Sequence, residues 1–338
     1  MPPIRSVLRW LFLGVCAVVL CAGAAYWWFL HAPAAEGRAL ETTRDSLSVG
    51  GRMRTFEYLA PPTVRPGAPL LIVLHGSGGS AARIRRDTGY GFERTAEERG
   101  FVVAYPEGFD GHWNDCRREV PFAAREANVD DVEFMRALVA RLQGAHEVDP
   151  TRVFAVGLSN GGQMAYRLAL EAPDLVRGVA AVAASLPTSS NFVCDIEPGR
   201  SAVAIVNGTA DPINPYEGGR VSLFGFAERG DVVSSAASAT YFARRNGLPA
   251  PARTEHIQQG HSDRTSAARS TWGAGEAGEV RLYTIRNGGH AFPQPHTRAA
   301  RLLGRTHRQL DGPAEIWSFF ESLPIDGGSI VDAYRQQP

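Results

Sequence analysis

The feature that most constrains this 338-residue sequence is the pentapeptide Gly157-Leu158-Ser159-Asn160-Gly161. A β-branched and aromatic run at 152–156 precedes it, and an apolar pattern with helical period follows at 163–170. This succession predicts a strand, a tight turn and a helix. Glycines two positions before and after Ser159 leave room for a strained turn that passes close to its neighbours. We therefore predict that Ser159 is a nucleophile at the start of a helix, whose N–H groups and dipole favour nearby negative charge.

Further strand and helix patterns alternate along the chain on either side of this turn. Apolar runs that predict buried strands lie at 69–74, 101–105, 178–184 and 202–206. Alternating runs at 52–60 and 280–285 predict an edge strand and a late strand. Helical patterns lie at 92–99, 132–142, 234–245 and 315–321. Because strands alternate with helices, we predict an α/β protein with a mainly parallel sheet and helices on both faces.

Three side chains of different chemistry each follow a predicted strand. Ser159 comes first along the chain, Asp211 follows the run at 202–206, and His290 follows the run at 280–285. Polar residues beyond the carboxyl ends of parallel strands collect at one edge of the sheet. A histidine with a pKa near about 6.5 can take the proton of a serine hydroxyl, and a buried carboxylate fixes the histidine tautomer. The order Ser, Asp, His matches the α/β-hydrolase arrangement, so we predict that fold with these residues as a catalytic triad.

Ordinary interpretations of the same residues remain open at this point. Asp211 precedes a proline, so its side chain could form an Asx turn. His290 could be a loop histidine with no catalytic role. Asp231 is the nearest competitor for the acid, but it lies in a Gly-Asp turn with no predicted strand before it. We therefore prefer Asp211 as the acid.

The Gly-rich segment at 75–79 follows the first buried strand. Acyl transfer needs N–H donors for the oxyanion of its tetrahedral intermediate. We predict that the backbone N–H groups of Ser77 and Asn160 supply them, with His75 and Gly76 shaping this part of the substrate site. The alternative is a Gly-rich turn with no catalytic role. A phosphate cradle is disfavoured because the chain has no lysine to complete a Walker pattern.

Together with Trp113-Asn114 and Pro215-Tyr216, these motifs resemble the polyhydroxybutyrate depolymerase and feruloyl esterase group of secreted α/β-hydrolases. The resemblance covers roughly residues 55–323. It implies a serine esterase acting on hydroxyalkanoate oligomers or aromatic esters, with the triad named above. It also implies that Trp113 lines the acyl pocket. Phe292 stands where the group usually has Trp, and we expect it to contact the substrate.

The N-terminus carries the strongest break in composition. Residues 10–30 contain no charged side chain, and about 20 apolar residues are enough to span a bilayer. Small-residue sites at 22–24 and 32–34 leave cleavage as a signal peptide open. Arginines before the span predict that the N-terminus is cytoplasmic and that the rest is exported.

These observations give a domain plan and a location. We predict a signal peptide or membrane anchor at 1–31, a tether at 32–48 and one catalytic domain at 49–338. The domain is then periplasmic or extracellular, and it is anchored to the inner membrane if the helix is not cleaved. Cys116 and Cys194 are the two cysteines of the exported part, and in an oxidising compartment they predict a disulfide. Two separate buried thiols are the alternative.

Charge and motif content narrow the partners and the function. Lys and Arg number 35 and so do Asp and Glu, so there is no electrostatic footprint for nucleic acid. No His, Cys or acidic cluster has metal-ligand spacing, and we predict no metal and no other cofactor. The predicted function is serine carboxylic-ester hydrolysis of hydroxyalkanoate oligomers or small esters, aromatic ones included. The alternative is a catalytically weak, envelope-bound ligand-binding protein on the same fold.

Overall fold

A computed structural model of the protein describes residues 4–250, 252–259 and 264–324. The helices within these residues are α1 (Ile4–Leu30), α2 (Ala81–Asp87), α3 (Gly91–Arg99), α4 (Ala123–Glu126), α5 (Asp131–His146), α6 (Asn160–Glu171), α7 (Ser235–Arg245) and α8 (Gly312–Glu321). The strands are β1 (Thr43–Val49), β2 (Arg52–Leu59), β3 (Leu70–Leu74), β4 (Val102–Pro106), β5 (Val153–Leu158), β6 (Gly178–Val182), β7 (Ala202–Gly208), β8 (Gly219–Arg220), β9 (Asp231–Val232), β10 (Arg253–Gln259), β11 (Ser266–Trp272) and β12 (Val280–Arg286).

Ten of these strands form one sheet in the order β1-β2-β4-β3-β5-β6-β7-β12-β11-β10. The six central strands, from β4 to β12, are parallel to one another. Antiparallel pairs extend the sheet at both ends. This topology confirms the predicted α/β-hydrolase fold, and it directs the carboxyl ends of β3, β5, β7 and β12 to one edge.

Each face of the sheet is buried against its own set of helices. Along β3, Leu70, Ile72 and Leu74 join the apolar core under α5, α6 and α7, whereas Leu71 and Val73 join the core under α2, α3 and α8. Successive side chains of a strand point to opposite faces, so a strand covered on both sides must be apolar throughout. The continuous apolar run at 69–74 is therefore what a central strand of this sheet requires.

The sheet is wider at both ends than the sequence predicted. The run at 52–60 predicts an edge strand, but β1 pairs with β2 along its whole length and takes the edge position instead. Residues from Thr43 onward, assigned to the tether, thus belong to the sheet. Strands β10 and β11 were not predicted either, because both consist mainly of polar and small residues without an apolar alternation. Residues 1–3 and 325–338, at the two ends of the predicted domain plan, lie outside the described residues.

The remaining residues of the predicted tether pack on the part of the chain that carries the sheet. The Glu36 N–H donates to the His296 carbonyl oxygen at 2.9 Å, and the Thr297 hydroxyl donates to the Pro33 carbonyl oxygen at 3.1 Å. At the end of the tether the Leu40 N–H donates to the buried carboxylate of Glu93 at 2.8 Å. These bonds fix the segment that leads from the catalytic domain to helix α1.

Helix α1 contains a 22-residue stretch, Arg9–Leu30, that is long and apolar enough to cross a membrane. A signal sequence near an N-terminus meets the same criteria of length and hydropathy, so the finding is compatible with both outcomes predicted for the N-terminus.

Cys116 and Cys194 form a disulfide, as predicted. The bond joins the loop after β4 to the loop after β6, and the Val193 N–H also donates to the Cys116 carbonyl oxygen at 3.0 Å. The linked residues are 78 positions apart, so the cross-link removes much conformational freedom from the unfolded chain.

We expect the double substitution Cys116→Ser and Cys194→Ser to lower the free energy of unfolding by about 4 kcal/mol, because the loop-closure entropy of the unfolded chain is then restored. Guanidinium unfolding of both proteins, with and without reductant, measures this loss. Reductant should destabilise the wild type and leave the double variant unchanged. Equal midpoints for wild type and variant would contradict a stabilising cross-link.

Candidate active site

Ser159 lies on a strained turn between β5 and α6. Its φ of 55° and ψ of −114° are rare for a residue with a side chain. The turn is possible because the residues two positions before and after Ser159 are glycines. A Cβ on Gly157 would lie 2.1 Å from the carbonyl carbon of Gly161, and a Cβ on Gly161 would lie 2.4 Å from the Leu74 carbonyl oxygen. The geometry agrees with the strand, turn and helix predicted around Ser159.

His290 and Asp211 are joined by a hydrogen bond of 2.8 Å between Nδ1 and Oδ2. They follow β12 and β7, which are adjacent parallel strands, so their loops leave the sheet side by side. The second carboxylate oxygen of Asp211 accepts from the N–H groups of Ile213 and Asn214 at 2.8 and 2.9 Å. The Asp211 side chain is 1% exposed, and it is held in one orientation by these three bonds.

Ser159 and His290 line the same cavity, whose volume is about 390 Å³. Within the described part of the chain no hydrogen bond joins the Ser159 hydroxyl to the His290 ring. Hydrogen bonds of this kind are often long before the substrate binds. Asp231, the competing acid, instead pairs with Arg220 at the surface, where Oδ1 lies 2.7 Å from Nε.

The predicted oxyanion donors lie on the two segments that meet at this cavity. Ser77 lines it, in the loop after β3, and Asn160 is the first residue of α6. Strand β3 is the neighbour of β5, with Leu74 opposite Gly157, so the loop and the turn emerge together. Among the described residues neither backbone N–H has an acceptor, which leaves both free for a substrate oxygen.

The structure places His75 and Gly76 in the lining of this cavity, whereas Trp113 and Phe292 are not among its lining residues. Trp113 is fully buried and is absent from the lining, because its indole N–H donates to the His75 carbonyl oxygen at 2.8 Å beneath the loop. Phe292 is also buried and packs edge-on against Phe92. It lines a second cavity of about 700 Å³. Among the described residues the two cavities share five lining residues, which are Arg83, Asp87, Leu158, His290 and Leu303.

The tether forms the outer wall of this second cavity, through residues 32–35. No motif indicates that position, since the segment is short, Ala- and Pro-rich and without a helical or strand period.

The side chain of Asn160 has a role that the sequence did not indicate. Its Oδ1 accepts from the Trp113 N–H at 2.9 Å, and its Nδ2 donates to the Asp115 carboxylate at 2.6 Å. These bonds tie the long loop after β4 to the first turn of α6. Trp113 thereby connects the first turn of α6, beside Ser159, with the His75 carbonyl oxygen.

His75 is buried under the same loop as a neutral imidazole. Burial lowers the pKa of His75 to about 4. The ring Nε2 accepts from the Gly108 N–H at 2.9 Å, so Nδ1 carries the proton and donates to the Gly76 carbonyl oxygen at 2.8 Å. The Glu107 carboxylate is 3.7 Å from Nε2, but burial has the largest effect on the pKa of His75.

This buried imidazole predicts a loss of stability in mild acid. Between pH 6.5 and 4 the unfolded chain binds a proton at His75 that the folded protein does not. The contribution is therefore fully present above pH 6.5, and it falls by up to about 3 kcal/mol as the pH drops to 4. Denaturant unfolding at several pH values should show a shallower decline in His75→Gln. Equal slopes for wild type and variant over this range would contradict the prediction.

Comparison with known proteins assigns the chain to a family. Residues 54–249, more than half of the chain, match the family described as Esterase PHB depolymerase. The chain belongs to this esterase family. It is a carboxylic ester hydrolase, and the resemblance drawn from its motifs is confirmed.

Relatives of this esterase and one solved structure agree with the assignment. It is 35% identical over 282 residues to "Putative esterase NocK" of Nocardia uniformis subsp. tsuyamanensis, covering 80% of this chain and 79% of that protein. It is 26% identical to a poly(3-hydroxybutyrate) depolymerase of Ralstonia pickettii, covering 52% of this chain and 37% of that one. An acetyl xylan esterase structure from Aspergillus awamori matches with a TM-score of 0.53 at 15% identity, covering 75% of this chain and 95% of that one. That likeness supports the fold alone.

No group of three or more His, Cys, Asp or Glu side chains within residues 4–250, 252–259 and 264–324 is arranged to hold a metal ion.

Proposed function

We propose that the esterase works through an acyl-enzyme on Ser159, with His290 as general base and Asp211 as the group that orients it. The observation that supports this most strongly is the 2.8 Å bond between His290 Nδ1 and the buried Asp211 carboxylate, in a cavity that Ser159 also lines. With Nδ1 donating to a carboxylate, Nε2 is left without a proton and can accept one.

In the first step the Ser159 hydroxyl oxygen attacks the ester carbonyl carbon while His290 Nε2 takes the hydroxyl proton. The negative charge that forms on the carbonyl oxygen is held by the N–H groups of Ser77 and Asn160. His290 then gives its proton to the leaving alcohol oxygen, and the acyl group stays on Ser159. A water molecule repeats the sequence on the acyl-enzyme and releases the acid.

We propose hydroxyalkanoate oligomers and small esters, aromatic ones included, as substrates. The Ralstonia pickettii relative carries the name of a poly(3-hydroxybutyrate) depolymerase, which supports the first class. A catalytic cavity of about 390 Å³ suits a small ligand, since small-molecule sites typically measure about 300 to 1,000 Å³.

The test is hydrolysis of p-nitrophenyl butyrate and of linear 3-hydroxybutyrate dimers and trimers by the full-length protein. We expect turnover of both. No turnover of any ester would contradict the proposal and favour the alternative of a ligand-binding protein on this fold.

We also propose that residues from 43 onward form one catalytic domain, which helix α1 anchors outside the inner membrane. One continuous sheet, an apolar N-terminal helix and a disulfide support an exported enzyme of this design. N-terminal sequencing of protein from membrane and soluble fractions tests the anchor. An N-terminus at residue 25 or 35 would show cleavage at one of the two small-residue sites and contradict it.

A further inference from the structure

Arg229 is a buried cation in the wall of the catalytic cavity. It lies between β8 and β9, lines the cavity together with Ser159 and His290, and is 6% exposed. Its position places a full positive charge beside the residues proposed to react with the ester. Neither its neighbours in sequence nor any motif indicated this position.

The guanidinium of Arg229 has few partners of its own. One Nη atom lies 3.4 Å from the Ser77 hydroxyl, and the group sits over the Phe122 ring at 5.3 Å from the ring centroid. Its Nε is buried without a hydrogen-bond partner. In the described part of the chain Arg229 forms no ion pair.

The buried carboxylate of Asp115 attracts the Arg229 cation but is already hydrogen-bonded to other groups. Asp115 accepts from the backbone N–H, Nε and Nη2 of Arg117, and from the side-chain amide of Asn160. Arg83 and Asp87, the other described charged residues of the cavity wall besides its histidines, pair with each other at 3.6 Å. Arg229 is therefore the arginine of this wall that lacks an anionic partner.

A buried arginine without an anionic partner destabilises the substrate-free protein. A buried charge without a counter-ion loses hydration and regains little. Burial, with the nearby Arg117 cation as a smaller cause, lowers the pKa of Arg229 to about 10, and the group stays charged at neutral pH. A guanidinium fork matches a carboxylate, which it binds by two parallel hydrogen bonds.

We propose that Arg229 binds a carboxylate of the ester substrate, so that the preferred substrates are esters carrying a free carboxylate near the scissile bond. This inference rests on the proposed function and narrows it. Linear hydroxyalkanoate oligomers fit the description because one end of each chain is a free acid. The carboxylate belongs either to the acyl part or to the alcohol part of the ester. The test therefore has two arms, one for each position of the carboxylate.

The acyl arm compares the p-nitrophenyl monoester of glutaric acid with p-nitrophenyl pentanoate. The alcohol arm compares the linear 3-hydroxybutyrate dimer with the same dimer carrying a terminal carboxamide. Arg229 contacts the carboxylate in one of these two arms. In that arm we expect Arg229→Met to lower kcat/KM for the charged ester by about 10- to 100-fold. The neutral ester should change by less than about threefold, which also shows that the variant folds.

Two further variants control the comparison. Arg229→Lys keeps the charge without the fork and should recover part of the preference. Arg136→Met removes an arginine outside the cavity, which pairs with Asp174 at 2.7 Å on the surface, and it should leave the ratio between charged and neutral esters unchanged.

A role confined to positioning Ser77 would lower kcat/KM for charged and neutral esters equally, and that result overturns the proposal. Calorimetric titration of wild type and Arg229→Met with glutarate and with free 3-hydroxybutyrate measures recognition without turnover. Arg229-dependent binding supports the proposal even if no ester is hydrolysed, in which case only the proposed function fails. Binding and turnover that are both independent of Arg229 contradict it.

Discussion

The variant Ser159→Ala is expected to hydrolyse p-nitrophenyl butyrate about 10⁶-fold more slowly in kcat than the wild type. The substitution removes the attacking oxygen and changes little else, because no hydrogen bond of the Ser159 hydroxyl is found among the described residues. Alanine has a smaller side chain than serine, so it fits the same backbone turn with its positive φ. Steady-state kinetics and thermal unfolding of the same preparations measure both consequences.

Ser189→Ala provides a matched control, since Ser189 is exposed and is not part of the proposed catalytic site. It should retain full activity. Substantial turnover by Ser159→Ala, with an unfolding temperature equal to that of the wild type, would contradict the proposed nucleophile.

Asp211→Asn is expected to lower kcat by about 10⁴-fold while leaving the fold intact. The asparagine oxygen can still accept from the N–H groups of Ile213 and Asn214, which now meet Oδ1 of Asp211. Its amide group then faces His290 Nδ1 as a donor, so the ring must carry its proton on Nε2. In that tautomer the imidazole cannot accept the Ser159 proton.

The control is Asp231→Asn, which alters the competing acid. Asp231 pairs with Arg220 at the surface, where a single ion pair contributes little to stability. We expect its kcat to equal that of the wild type. A larger loss for Asp231→Asn than for Asp211→Asn would exchange the roles assigned to the two residues.

Much of the fold could be predicted because its central strands carry their own local pattern. A parallel strand with helices on both faces must be apolar throughout, as 69–74 and 202–206 are, and turn residues bound each run. The outer strands could not be predicted in the same way. Strands β1 and β10 lie at the edges of the sheet, and β11 consists mainly of polar and small residues, so pairing with a neighbour, and not their own composition, keeps them in the sheet.

The same distinction applies to the site. Ser159, Asp211 and His290 could be chosen because each follows a strand, and the topology then brings strand ends to one edge. Arg229 could not be chosen, because it meets Ser77 across 152 positions of sequence and stands in an irregular segment. The resemblance to the family implies that Trp113 lines the acyl pocket, whereas in the structure its indole N–H donates to the His75 carbonyl oxygen beneath the loop.

The most direct test of Ser159 as the nucleophile is covalent labelling with a fluorophosphonate, followed by peptide mass spectrometry. A serine activated by a histidine displaces fluoride and keeps the phosphonyl group, whereas unactivated serines do not react. We expect one adduct per chain, on the peptide containing Ser159, and none in Ser159→Ala. An unlabelled wild-type protein, or an adduct on a different serine, would contradict the account.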